Sequence, residues 1–148
     1  MARPTAPAPF HPSSRSPGTL LAVALGGALG TLSRYALDRG LPTAPGHFPT
    51  ATLLINLSGS LLIGLLLPMA LISTRRWIRP FAITGILGGW TTYSALATDT
   101  ASLTRSGHGL FALGDVGLTL LGGLALVALG FFLSPAHSFV RYRRSNGS

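Results

Sequence analysis

The chain has 148 residues, of which 47% are hydrophobic and only 9% carry a charged side chain, whereas water-soluble domains usually carry about 25% charged residues. This composition is typical of an integral membrane protein. The absence of cysteine excludes disulfide bonds, zinc sites built on cysteine and thiol catalysis. The net charge of +8 would suggest nucleic-acid binding in a soluble protein, but the arginines flank apolar runs and therefore indicate orientation in a bilayer.

Residues 1–17 are rich in Pro, Ala and Ser and have no apolar periodicity, which predicts a disordered tail. Because lipid offers no hydrogen-bond partners to backbone groups, the apolar stretches after it must be helical. We predict an all-α integral membrane protein with one domain, 18–133, followed by a basic C-terminal tail, 134–148. Four stretches come near the ~20 residues that a helix needs to cross the hydrocarbon core: 18–37, 50–73, 78–97 and 110–133.

The first of these stretches has small residues and an arginine on one face. Gly26, Gly30 and Arg34 stand at four-residue intervals, so they are stacked along the helix. One interpretation is a packing face, since small residues permit close helix contact, with Arg34 near the helix end at the membrane interface. The other is a positive charge at the mouth of an anion path. A cleaved signal peptide is disfavoured, because the apolar run continues and three more spans follow.

The second span carries a polar stripe at the same spacing. Thr52, Asn56, Ser60 and Gly64 recur every four residues, with Gly59 beside them. The carboxamide of Asn56 offers two N–H donors to an anion without a fixed charge that would hold it too tightly. An interhelical hydrogen bond, worth about 0.6–2 kcal/mol in a membrane, is the alternative role. The helix alone does not decide between them.

The third span concentrates glycine and hydroxyl residues where a membrane helix should continue. Gly88, Gly89, Thr91 and Thr92 lie near its middle. Glycine costs about 1 kcal/mol relative to alanine in a helix interior, and threonine hydroxyls compete for backbone carbonyls. We therefore expect this helix to be broken mid-membrane, with freed carbonyl groups that need protein, water or a bound cation. A glycine-rich packing seam is the alternative.

The arginines are unevenly distributed between the two sides of the membrane. Eight lie in the N-terminal tail, the second connector and the C-terminal tail, whereas Arg39 and Arg105 alone lie in connectors on the other side. Since arginine-rich segments stay in the cytoplasm, we expect both termini to be cytoplasmic.

The three motifs, in this order and spacing, resemble the Fluc (CrcB) family of fluoride channels. The matching patterns are G-G-x-x-G-x-x-x-R-Y in 26–35, N-x-x-G in 56–59 and G-x-x-G-G-x-T-T-aromatic-S in 85–94. The resemblance covers 18–133. It implies an antiparallel dimer with two narrow pores and one structural Na⁺ at the dimer centre.

The resemblance also implies roles for individual residues. The backbone carbonyls of Gly88 and Thr91 would hold the Na⁺, with Gly89 and Trp90 forming the break, and carbonyl oxygens suit such a hard cation. Arg34 would lie near a vestibule. The ion pathway would include amide, hydroxyl and aromatic groups: Asn56, Thr92, Tyr93, Ser94 and Thr119.

The chain departs from the family's pattern in its pore. Two phenylalanines whose ring edges face the anion are replaced by Tyr93 and Leu96, and leucine has no quadrupole. A Tyr and a Ser of the fourth helix are replaced by Asp115 and Thr119, and an ionised aspartate would repel an anion. Together with the arginine bias, these departures favour pairing with a homologous subunit of opposite orientation, and one degenerate pore.

We therefore expect a channel subunit that exports cytoplasmic fluoride from the cell by passive electrodiffusion and so reduces its toxicity. The sequence shows no nucleophile and base pair, metal cluster or cofactor loop, which argues against an enzyme. A small proton-coupled multidrug exporter is the alternative, and its membrane-buried carboxylate would have to be Asp115. A passive helical scaffold would transport nothing.

Overall fold

The computed structural model describes residues 16–44, 46–73 and 75–136, so most of the two predicted tails lies outside the described residues. The described residues form helices and connectors without a strand, which confirms the all-α class. The third predicted span is divided between two helices. We number the helices as follows: α1 (Pro17–Gly40), α2 (Thr50–Ile72), α3 (79–90), α4 (Tyr93–Arg105) and α5 (Gly109–Leu133).

The first helix begins one residue earlier and ends later than the apolar pattern predicted. Ser16 caps it, since its Oγ accepts a hydrogen bond from the N–H of Thr19 at 3.3 Å. Pro17 suits the first turn because its missing N–H would have no helical partner there. The helix continues to Gly40, so Arg34 lies inside α1 rather than at its end.

α1 and α3 pack through glycine. A methyl group added to Gly26 would overlap the carbonyl oxygen of Phe81, and one added to Gly30 would overlap that of Ile86. Only glycine therefore allows the two backbones to approach this closely. The common packing face predicted from the four-residue spacing is confirmed.

α2 and the second half of α5 form the other close helix pair. A methyl group at Gly64 would overlap the carbonyl oxygen of Val127, and one at Gly130 would overlap that of Leu61. Ile55 and Pro68 of α2 are fully buried. The first half of α5 instead packs against α4, so α5 bridges the two parts of the bundle.

The helical backbone is interrupted at Thr91 and Thr92. α3 is π-helical over Arg79–Leu87 and α-helical over Gly88–Trp90. Thr91 (φ −70°, ψ 152°) and Thr92 (φ −146°, ψ 117°) are extended, and α4 starts at Tyr93. The prediction that Gly89 and Trp90 form the break was wrong by two residues. β-branched threonine accepts the extended conformation readily, and Thr92 then caps α4 by accepting the N–H of Ala95 at 3.1 Å.

In the part of the chain that the structure describes, three helices are long and apolar enough to cross a membrane by length and composition, with mean hydropathies of 1.4, 2.0 and 2.3: Pro17–Gly40, Thr50–Ala70 and Gly109–Leu133. Many of their leucines are exposed on the subunit, including Leu110 at 84% and Leu121 at 73%. A soluble monomer rarely exposes so much contiguous apolar surface. The pattern is that of a multi-pass membrane protein.

Candidate functional site

Polar side chains from α2, α5 and the Thr91–Thr92 break meet along a groove of about 420 Å³. Most of the predicted pathway lies here, and Ser94 adjoins it through its Oγ, which is 3.2 Å from Thr92 Oγ1. Neither Gly88 nor Arg34 lines the groove. The lining includes these singled-out residues: Asn56, Thr91, Thr92, Tyr93, Leu96 and Thr119.

Asn56 of α2 holds the interrupted backbone. Its Oδ1 accepts the N–H of Thr92 at 2.8 Å, and its Nδ2 donates to the carbonyl oxygen of Thr92 at 3.1 Å. The side chain is 8% exposed, so both bonds replace water at a buried position. A carboxamide has two N–H donors. One donates to Thr92, and the other makes no hydrogen bond within the described residues.

The break frees the carbonyl oxygens of Gly88 and Thr91 from their helical partners. In a continuous helix these oxygens would accept the N–H groups of Thr92 and Ala95. Instead, Thr92 donates to Asn56 Oδ1 at 2.8 Å, and Ala95 donates to Thr92 Oγ1 at 3.1 Å. These are the two carbonyls assigned to a cation by resemblance. Within the described residues, no group of three or more His, Asp or Glu side chains could hold a metal ion.

Further side chains anchor the residues just before the break. Arg34 Nε donates to the carbonyl oxygen of Gly89 at 3.2 Å, and this oxygen would otherwise accept the N–H of Tyr93. Trp90 Nε1 donates to Ser58 Oγ at 3.0 Å. Arg34 thus donates a hydrogen bond to a third carbonyl that the break has freed. The sequence had indicated only a position near the membrane interface or a vestibule.

The residues after the break differ sharply in exposure. Tyr93 is 81% exposed at the groove's edge, whereas Leu96 is 5% exposed. An aromatic side chain left so open on one subunit is expected to contact lipid or a second subunit. Leu96 lines the groove with a purely apolar side chain.

Asp115 and Thr119 occupy one face of α5, because they are four residues apart. Thr119 lines the groove. Asp115 is fully buried at 0% exposure. Neither its two carboxyl oxygens nor Thr119 Oγ1 has a hydrogen-bond partner within the described part of the chain.

Two contacts were not anticipated from the sequence. Asp99 of α4 accepts a hydrogen bond from Thr52 Oγ1 at 2.6 Å. Asp99 lies seven residues, or two helical turns, after Thr92, so the sequence spacing could have predicted that the two side chains share a helix face. Ser58 showed no comparable signal, because its partner Trp90 is 32 residues away in the sequence.

The chain was compared with known protein families and with curated proteins. Residues 21–131 match the family described as "CrcB-like protein, Camphor Resistance (CrcB)". A relative from Nocardia farcinica, "Fluoride-specific ion channel FluC 2", is 44% identical over 125 residues, which cover 83% of this chain and 89% of the relative. The "Fluoride-specific ion channel FluC" of Bordetella petrii is 44% identical over 82% of this chain and 94% of its own length. That of Desulfotalea psychrophila is 41% identical, with coverages of 82% and 94%.

Proposed function

The chain belongs to the CrcB family of fluoride-specific ion channels, and we propose that it is a channel subunit that conducts fluoride passively out of the cell. It is therefore a multi-pass membrane protein and not an enzyme. The single observation that carries the proposal is the groove, in which hydrogen-bond donors without fixed charge converge beside an interrupted helix.

The groove suits a small and strongly hydrated anion. Conduction requires donors that replace water but do not form a deep trap. One N–H of Asn56 and the hydroxyls of Thr119 and Ser94 supply such donors. No Arg, Lys or His lines the groove within the described residues, so a bound anion can leave as readily as it enters.

The fourth membrane crossing is assigned to α3 and α4 together. α4 has 13 residues, fewer than the ~20 that a crossing needs. Joined through Thr91 and Thr92, the two helices would reach the required length, with the break at membrane depth. Non-helical backbone is tolerated there only where protein, water or an ion satisfies it.

A structural Na⁺ at the dimer centre is proposed to satisfy the carbonyls of Gly88 and Thr91. The fit rests on the loss of their helical partners to Asn56 and Thr92 and on the preference of hard cations for oxygen. Because a ligand that binds only the assembled state stabilises it, replacing Na⁺ with a larger monovalent cation should lower the dimer's melting temperature. An unchanged melting temperature would count against this site.

The proposed assembly is an antiparallel dimer. The groove is open to one side and Tyr93 is exposed at its edge, which leaves room for a second subunit. The arginine bias favours both termini of this chain in the cytoplasm. Its partner is then a homologous subunit inserted in the opposite orientation.

The test is fluoride efflux from liposomes that contain the purified chain, alone and with a homologous partner encoded by the same genome. We expect electrogenic fluoride efflux, little chloride efflux, and no need for a proton gradient. Efflux no faster than from protein-free liposomes, with and without the partner, would refute the channel. A homodimer that conducts would refute obligate pairing only.

A proton-coupled multidrug exporter is the second candidate, and the buried carboxyl of Asp115 is the observation that favours it. Such an exporter would move organic cations at the expense of a proton gradient. If the chain transports organic cations electroneutrally or only with a proton gradient, and conducts no fluoride, the exporter is the correct function.

A further inference from the structure

The carboxyl group of Asp115 is a buried polar group one helical turn before Thr119, which lines the proposed ion path. It is 0% exposed, and neither oxygen has a hydrogen-bond partner among the described residues. Thr119 Oγ1, one helical turn on, is also buried without a partner, although Thr119 lines the groove. Buried polar groups normally have a hydrogen-bond partner, so two groups without one, in successive turns of one helix face, point to a missing ligand.

The surroundings of Asp115 do not support a negative charge. The half of α5 that contains Asp115 packs against α4, and the next turns, Leu118–Gly122, pack against α2. α4 contributes Asp99, whose carboxylate acts electrostatically on Asp115, while Thr50–Ile72 contains no titratable side chain. The cavities on which Asp99 opens are also lined by Asp38, Arg39 and His47. None of these groups is hydrogen-bonded to Asp115.

A carboxylate that is buried without a hydrogen-bond partner and faces another acid is strongly disfavoured as an ion. The neutral acid avoids this cost. Its O–H is also a hydrogen-bond donor, whereas the ionised form is an acceptor only and repels anions. Protonation thus converts Asp115 from a barrier into the next donor after Thr119.

We propose that Asp115 is protonated in the conducting subunit and donates its O–H to fluoride beyond Thr119, so that conduction through this groove requires the neutral acid. The inference rests on the proposed function and goes beyond it, because it makes Asp115 a residue that determines when this pore conducts. The proton stays on Asp115 and is not transported.

The first test is the pH dependence of fluoride efflux, measured between about pH 6 and about pH 9 and corrected for leak through protein-free liposomes. The wild-type rate should fall with rising pH, by about tenfold per unit once most of Asp115 is ionised, since the neutral fraction of one acid falls in that proportion. Asp115→Asn keeps a donor without the titration, so its rate should not vary with pH. Asp38→Asn, which alters an exposed acid on α1, should keep the wild-type profile.

A wild-type rate that is independent of pH, or an Asp115→Asn rate that still falls, would overturn the proposal while leaving the fluoride channel intact. Absence of fluoride efflux at every pH, with and without a partner, would instead refute the proposed function.

The second test does not depend on flux. Infrared spectra of the reconstituted chain at neutral pH should contain a neutral carboxylic acid band that is missing in Asp115→Asn and present in Asp38→Asn. Sodium fluoride should shift this band, because a hydrogen bond to fluoride weakens the acid's C=O and O–H bonds, and sodium chloride should not. Absence of the band, or a band that does not respond to fluoride, would overturn the proposal.

Discussion

At the scale of single residues, the function of Asn56 depends on which of its hydrogen bonds are made within the subunit. The side chain makes two hydrogen bonds to the main chain of Thr92. The sequence left open whether Asn56 serves an anion or an interhelical bond. In the structure the interhelical contact is present, and one N–H remains for the anion role that we propose.

Replacing Asn56 by leucine should damage stability and conduction together. The N–H and C=O of Thr92 would stay buried without partners, at about 1–3 kcal/mol for each unsatisfied group. We expect a lower melting temperature and strongly reduced fluoride efflux. Ser60→Ala changes the same groove but removes no hydrogen bond made within the described residues, so it should retain the wild-type melting temperature. Equal stability of Asn56→Leu and wild type would show that the hydrogen bonds from Asn56 to Thr92 do not stabilise the fold.

The opposite result is expected for Thr119, because its hydroxyl has no hydrogen-bond partner among the described residues. Thr119→Val keeps the shape and removes a donor, so fluoride efflux should fall while the melting temperature is unchanged or higher. Thr104→Val is the matched control, since the Thr104 hydroxyl donates to Thr100 O at 2.8 Å on an exposed surface. It should leave efflux intact. Normal efflux in Thr119→Val would show that the Thr119 hydroxyl is not part of the ion pathway.

At the scale of helices, glycine decides how close α1 and α3 come. The close approach brings Arg34 within 3.2 Å of the Gly89 carbonyl. Gly26 and Gly30 both lie directly against the π-helical segment Arg79–Leu87. Packing of α1 therefore supports the geometry of the break, although no residue of α1 lines the groove.

Gly30→Ala should separate these two helices. The added methyl group overlaps Ile86 O, and overpacking of this kind costs typically about 1–3 kcal/mol. Gly27→Ala, on the same helix, meets nothing within 4 Å in the subunit and should be tolerated. The check is the melting temperature of both variants in detergent. Equal melting temperatures for both would show that the α1–α3 seam is not tightly packed.

At the scale of the whole molecule, the subunit looks incomplete by itself. Its long helices expose leucines along most of their length, and the groove is open at the edge where Tyr93 lies. In the proposed dimer, the orientation of the chain decides which partner could cover the groove. Since an antiparallel dimer needs two opposite insertions, a chain with a strong arginine bias cannot readily supply both.

This orientation can be measured directly, because the natural chain has no cysteine. We expect Ser106→Cys, in the connector before α5, to react with a membrane-impermeant thiol reagent added outside intact cells. Arg75→Cys, in the connector between α2 and α3, should react only after the membrane is permeabilised. Equal labelling of both positions in intact cells would indicate dual orientation and would favour a homodimer.

The sequence by itself determined the all-helical class, the long apolar helices, the glycine packing face and, through its motifs, the family. These follow from local quantities: the length of apolar runs and the spacing of small residues. Only the tertiary structure decided where the helix breaks and which donors are already used. The N–H of Thr92 has two competing acceptors, Gly88 O within the helix and Asn56 Oδ1, which is 36 residues away. Likewise, Asp115 is buried in a part of α5 that packs against α4, and no pattern within α5 contains this contact.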